Sequence, residues 1–233
     1  MISALIPARG GSKGIPKKNI LNIFGYPLIA YSISVCKKCK DIDKVYVSTD
    51  DEEISAISEF YGATVLRRPS ELAMDLSNDY GVVKHFFDCF PCEEVSYIRP
   101  TTPARNVETL SSCISFYKNN KYKLTGVRSV HELSESPYKF IKIEDSGYCG
   151  GFFESFNGIK QYTNLPRQMF PKAYHPNGYI DILKKETIEK GSDFGDKILP
   201  FLTRRVCELD IEEDIEFVKN DLERNVTFDI FES

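Results

Sequence analysis

Residues 6–19, IPARGGSKGIPKKN, concentrate the residue types that hold phosphate. Gly10, Gly11 and Gly14 let a backbone turn tightly and bring its N–H groups close to an oxyanion. Arg9, Lys13, Lys17 and Lys18 supply positive charge, and no acid interrupts them. The stretch is neither GxGxxG nor a Walker loop, which requires GxxxxGK[ST]. It also fits a solvated turn with scattered lysines. Its position directly after an N-terminal apolar strand favours the phosphate reading, because open α/β sheets bind ligands beyond the carboxyl ends of their strands. A second concentration of charge lies near the other end. Residues 208–223 hold eight acids against the single cation Lys219.

The elements that must position these groups alternate. Short apolar runs at 2–7, 44–48, 63–66, 95–98 and 124–129 read as strands. Helical spacing separates them at Pro27 to about Cys39, 52–61, near 79–89 and near 107–118. Pro27 sits where a first helical turn accepts proline, and Asp50 or Asp51 can cap the next helix. This rhythm predicts a Rossmann-like, mostly parallel sheet with helices on both faces. From about 135 the pattern changes to an antiparallel excursion turned by Asp145, Ser146 and Gly147. A strand at 178–183 and a helix at 211–224 follow. The expectation is one domain over 1–233 with an inserted hairpin region over about 135–177.

Composition narrows the function classes. The 233 residues are 42% hydrophobic and 27% charged, which excludes collagen-like, disordered and disulfide-framework chains. A formal charge of −4 gives no whole-molecule case for nucleic-acid binding. The opening residues lack the basic region and long apolar stretch of a secretory signal, and no apolar run is long enough to span a membrane. Seven cysteines is an odd count in a chain too large to need disulfide staples, so a cytoplasmic setting with reduced thiols is expected. Cys36-x-x-Cys39 and Cys89-x-x-Cys92 are 49 residues apart, far from zinc-ribbon spacing, and neither pair is placed for thioredoxin-like chemistry. His85 reads as a packing residue on its helix and His175 as a polar loop histidine.

The opening loop resembles the ARxxSKGxPxKN pattern of the sugar-acid cytidylyltransferases, most closely the CMP-acylneuraminate (CMP-sialic acid) synthetases. Further matches keep the same order: VYVSTDDEEI at 45–54, RRPSELAMD at 67–75, RPTTPAR at 99–105, PRQMFPKAYHPNG at 166–178 and LDIEED at 209–214. The resemblance implies transfer of CMP from CTP to the anomeric hydroxyl of a sialic-acid-like 2-keto-3-deoxy sugar acid. Pyrophosphate leaves, Mg²⁺ assists, and the protein is a homodimer that exchanges hairpin contacts, with Tyr138, Phe140, Tyr148, Phe152 and Phe153 available to bury such a contact.

Residue by residue, the resemblance puts Ala8, Arg9, Gly10, Ser12, Lys13, Lys18, Asn19, Arg68 and Arg99 at the nucleotide, with Arg9 and Lys13 catalytic through the leaving group. Arg167, Gln168, Asn177 and Asp181 would meet the sugar acid, a guanidinium fork suiting its carboxylate. Asp210 and Glu212 would hold Mg²⁺, although on their own they also fit the acidic first turn of a helix. Three positions depart from the pattern: Arg99 replaces Gln before PTSP, Glu212 replaces the second Asp of DID, and Asp181 stands where Tyr is common. Arg99 has donors only and so cannot read the cytosine amino group. A nucleotidyltransferase of different base preference, or a nucleotide- or sugar-binding regulator without turnover, are the alternatives these departures open.

Overall fold

The computed structural model describes residues 1–74 and 77–232. Asp75, the last residue of the RRPSELAMD segment, lies outside them. In chain order the strands are β1 (Ile2–Pro7), β2 (Asn22–Ile23), β3 (Tyr26–Pro27), β4 (Ile42–Thr49), β5 (Thr64–Arg67), β6 (Glu94–Tyr97), β7 (Gly126–Glu132), β8 (Ile141–Ile143), β9 (Cys149–Gly151), β10 (Tyr174–Lys184) and β11 (Ile198–Leu202). The α-helices are α1 (Leu28–Lys38), α2 (Glu52–Phe60), α3 (Asp79–Cys89), α4 (Val107–Asn120), α5 (Lys185–Glu189) and α6 (Asp214–Asn225).

The central sheet has seven strands in the order β11-β7-β10-β6-β1-β4-β5. Pairings β1–β4, β1–β6, β4–β5 and β7–β11 are parallel, whereas β10 runs antiparallel to both β6 and β7. Alternation along each strand sorts the core between the two faces. Ala4 and Ile6 of β1 pack with Ile29 and Ile33 of α1, Ile54 of α2 and Leu110 and Ile114 of α4. Leu5 turns the other way, to Val83, Phe86 and Phe87 of α3 and Ile188 of α5. A third cluster docks α6 through Val218 and Leu222 against Ile15, Ile23, Leu28 and Leu209.

Local chemistry explains the boundaries. Asp51 caps α2, its Oδ1 accepting from the Ile54 N–H at 2.9 Å, and Asn78 and Asn106 do the same for α3 and α4. Pro27 is the residue before α1 rather than part of its first turn, and it pairs with Asn22 in the β2–β3 ribbon. Residues 198–202, to which the sequence reading assigned no element, form the edge strand β11; Pro200 is tolerated on an edge, where one side of the strand is unpaired. The strand expected at 178–183 extends back to Tyr174 as β10.

Strands β8 and β9 form a separate two-stranded hairpin within the segment that precedes β10. That segment has a small core of its own, in which the Tyr138 ring stacks on Phe170 at 5.3 Å and meets Phe153 and Phe156 at 4.8 and 4.9 Å. Ile141, Ile143, Tyr148 and Phe152 remain more than half exposed. Among the described residues no helix is long and apolar enough to cross a membrane.

Candidate active site

A cleft of about 440 Å³ opens at the carboxyl ends of β1, β5 and β6. Its floor and walls include Arg9, Ser12, Lys13, Gly14, Lys18 and Asn19 from the loop after β1. Arg68 follows β5, Asp79 opens α3, Arg99 and Thr101 follow β6, and Glu208 and Asp210 come from the segment before α6. Ends of parallel strands and helix starts thus converge where an α/β sheet binds its ligand.

Most of these side chains are held by an identifiable partner. The buried Asn19 amide donates to the Arg9 carbonyl at 3.0 Å, drawing the loop into a closed turn. Arg9 Nη1 donates to the Met74 carbonyl at 2.9 Å, which ties the loop to the segment before α3. Lys18 Nζ meets Asp210 Oδ1 at 2.9 Å across the cleft. Gly14 permits this closure: a Cβ there would overlap the Asp210 carbonyl oxygen. Arg68 is buried and donates to the Ser48 carbonyl at 2.7 Å and to Ser48 Oγ at 3.1 Å, and burial lowers its pKa. Asp79 uses both oxygens, accepting from Tyr97 OH and from Arg99 Nη2, each at 2.7 Å. Burial opposes the Arg99 charge, but Asp79, Tyr97 and Asp181 outweigh it and hold the guanidinium above its usual pKa.

Several expected residues fall elsewhere. Lys17 takes a left-handed backbone conformation (φ 53°) and its ammonium pairs with Glu53 on α2, away from the cleft. Ala8 is fully buried, and the Gly10 N–H donates to Asp50 at 3.0 Å; neither lines the cleft. Arg167 and Gln168 line a different hollow of about 380 Å³ with Glu132, Ser136 and Lys172. Asn177 is buried, its amide donating to Thr203 Oγ1 at 2.7 Å. Asp181 is buried as well, accepting from the Ser129 N–H at 3.0 Å. Of the two carboxylates expected to hold metal, Asp210 lines the cleft and the exposed Glu212 does not.

Three contributors escape sequence reasoning. Glu208 lines the cleft and accepts from Thr101 Oγ1 at 3.0 Å; its place two residues before Asp210 was the available signal. Asp79 is the acid in the first turn of α3. Arg105 closes the RPTTPAR motif and is 1% exposed. All its N–H groups are taken, by the carbonyls of Arg99, Thr102, Gly178 and Tyr179 and by Ser32 Oγ, and burial brings its pKa down to about 10. No carboxylate neutralises it among the described residues. Arg105 is therefore a brace for the 99–102 turn and not part of the cleft surface. The cysteine pairs play no part: Cys36 is buried with its thiol pushed up to about 12, and Cys89 lies on exposed α3 surface.

A family model described as cytidylyltransferase matches residues 3–148. The chain belongs to the cytidylyltransferase family. Among curated relatives, the N-acylneuraminate cytidylyltransferase of Escherichia coli O18:K1:H7 is 33% identical over 219 residues, 93% of this chain and 50% of that protein. The chain thus spans about half the length of that relative. The pseudaminic acid cytidylyltransferase of Campylobacter jejuni is 29% identical over 224 residues, covering 92% of this chain and 93% of its own. The fold is shared with CMP:2-keto-3-deoxy-manno-octonic acid synthetase solved with CTP, at a TM-score of 0.73, 14% identity and coverage of 97% of this chain and 99% of that one.

Proposed function

We propose that this cytidylyltransferase-family chain transfers CMP from CTP to the anomeric hydroxyl of a sialic-acid-like 2-keto-3-deoxy sugar acid. The supporting observation is a single cleft in which Arg9, Lys13 and Lys18 face Glu208 and Asp210. The anomeric oxygen attacks the α-phosphorus and forms the new O–P bond. The bond to the β-phosphate oxygen breaks, its electron pair leaves with pyrophosphate, and the hydroxyl proton passes to solvent. Charge builds on the leaving group, so positioned cations carry much of the rate. Arg9 and Lys13 stabilise the departing pyrophosphate, Lys18 and Arg68 hold the triphosphate, and Ser12 and Asn19 fix the loop that presents them.

The donor set suits Mg²⁺, which is commonly held by one or two carboxylates with waters and substrate phosphates. Asp210, with Glu208 beside it in the cleft lining in place of Glu212, would hold the ion, which supplies further neutralisation of phosphate charge. The exposed apolar hairpin supports a homodimer in which this surface is covered by a second copy; Arg167 and Gln168 would then complete a sugar-acid site with the partner. CTP supply and unpaired thiols fit a cytoplasmic setting. The test is pyrophosphate release from CTP and Mg²⁺ with a panel of acylneuraminates and related nonulosonates. Release with at least one acid is expected, and its absence with every acid in a folded, CTP-binding protein overturns the reading.

A further inference from the structure

Asp50 and Asp51 are adjacent acids with different duties. Asp51 takes the cap of α2, while Asp50, the residue after β4, is an exposed carboxylate outside the cleft lining. Asp50 Oδ1 accepts from the Gly10 N–H at 3.0 Å. That N–H belongs to the same peptide unit as the Arg9 carbonyl, which accepts from the Asn19 amide at 3.0 Å. A trans peptide is planar and its two polar groups point in opposite directions, so the Arg9–Gly10 plane is gripped at both edges. One residue earlier, the Ala8 N–H donates to the Ser48 carbonyl at 2.9 Å. The backbone on both sides of the Arg9 Cα is thereby fixed, and with it the direction in which the guanidinium leaves the chain.

The mount of this carboxylate is rigid. The Asp51 N–H donates to Thr49 Oγ1 at 3.1 Å, and the Arg68 N–H donates to the Thr49 carbonyl at 2.8 Å, so the end of β4 is tied to the turn after it and to β5. Gly10 lies close against this turn: a Cβ there would crowd the Asp51 Cβ and carboxylate. The glycine is therefore accounted for by the approach of α2. A second link between loop and helix, Lys17 to Glu53, has both side chains more than half exposed, where an ion pair contributes little. Asp50 also favours the charged form of Arg68, opposing the burial that lowers its pKa.

We propose that Asp50 is a positioning residue for the phosphate loop: by holding the Arg9–Gly10 peptide from outside the cleft, it aims the Arg9 guanidinium at the leaving pyrophosphate. Arg9 reaches the substrate, and Asp50 acts through Arg9. The proposal rests on the function given above.

The experiment titrates CTP with Mg²⁺ by calorimetry, and measures kcat and KM for CTP with an accepted acid, in the wild-type protein, D50A, D50N, R9M and the R9M/D50A double variant. Thermal denaturation of each checks folding; Asp50 is exposed, so its truncation leaves no cavity. D50N keeps an oxygen that can accept from the Gly10 N–H, and D50A removes it. In D50A, kcat/KM for CTP is expected to fall about tenfold or more and the CTP dissociation constant to rise about threefold, with D50N within about twofold of wild type in both. Adding D50A to R9M is expected to change either quantity less than about twofold, because Arg9 is the group through which Asp50 acts. The proposal is overturned by a D50A protein that matches wild type, by D50N as impaired as D50A, or by the same loss from D50A with and without Arg9. Tighter CTP binding in D50A also overturns it, since the carboxylate would then occupy a donor that phosphate needs. Failure of the wild type to release pyrophosphate with any acid removes the functional reading, whereas the calorimetric series needs no acid and still decides the role of Asp50. A folded wild type that does not bind CTP overturns both.

Discussion

The cleft and the hairpin segment are opposite kinds of surface. Around the cleft nearly every polar side chain is partnered by a residue from a distant part of the chain: Lys18 with Asp210, Arg99 with Asp79, Thr101 with Glu208. The hairpin presents Ile143 at 79% and Tyr148 at 77% exposure, with nothing over them. One region is knit together by contacts within a single chain; the other has apolar area that only further burial would use. The contrast separates residues whose loss should stop chemistry directly from residues whose loss should act through assembly.

The largest effect should come from the cleft. Lys13→Ala is expected to lower kcat by about 10²–10³-fold, the usual result of removing one charge-stabilising donor. Denaturation curves should match wild type, and an unchanged kcat would make the loop no different in kind from the hairpin. Arg105→Met comes next and acts through the fold. It leaves several buried carbonyls without donors, so a loss of about 3 kcal/mol in urea unfolding is expected.

Asp181→Asn probes the buried side of the same boundary through stability. Burial, opposed by Arg99, raises the Asp181 pKa above its ordinary 3.8. An acid that ionises less readily in the folded than in the unfolded chain costs stability as pH rises from the unfolded value through the folded one. Below the unfolded value both states are protonated and the cost is absent. The variant should therefore melt higher than wild type at pH 7, with the difference vanishing toward pH 3. The smallest effect on the fold belongs to the hairpin. Ile143→Lys combined with Tyr148→Lys should leave monomer stability within about 0.5 kcal/mol. Light scattering should report a lower mass than for wild type; an equal mass would remove the covered-surface reading.

Much of this division was readable in the sequence because it rests on local pattern. The alternation of apolar strands with amphipathic helices specified the sheet, and IPARGGSKGIPKKN announced its own chemistry. The reversed direction of β10 was not readable, since a strand's residues carry no record of which way its neighbours run. β11, with Pro200 at its centre, was assigned no element from the sequence. Glu208 and Asp79 gained their places only through tertiary convergence, and Arg105 looked like any arginine until its carbonyl partners were in view. The Arg167–Gln168 pair matched a motif, yet a motif does not report which hollow its residues face.

The contact between Gly14 and Asp210 has a consequence for synthesis. Asp210, which closes the phosphate loop, emerges from the ribosome some two hundred positions after Gly14. Through most of translation β1 and its loop exist without the wall that shapes them. A nascent chain can gather much of its sheet while still unable to grip a triphosphate, and such long-range closures come late in folding. Nucleotide affinity should thus report the finished protein: a chain cut before residue 205 would keep most of its strands and lose the site.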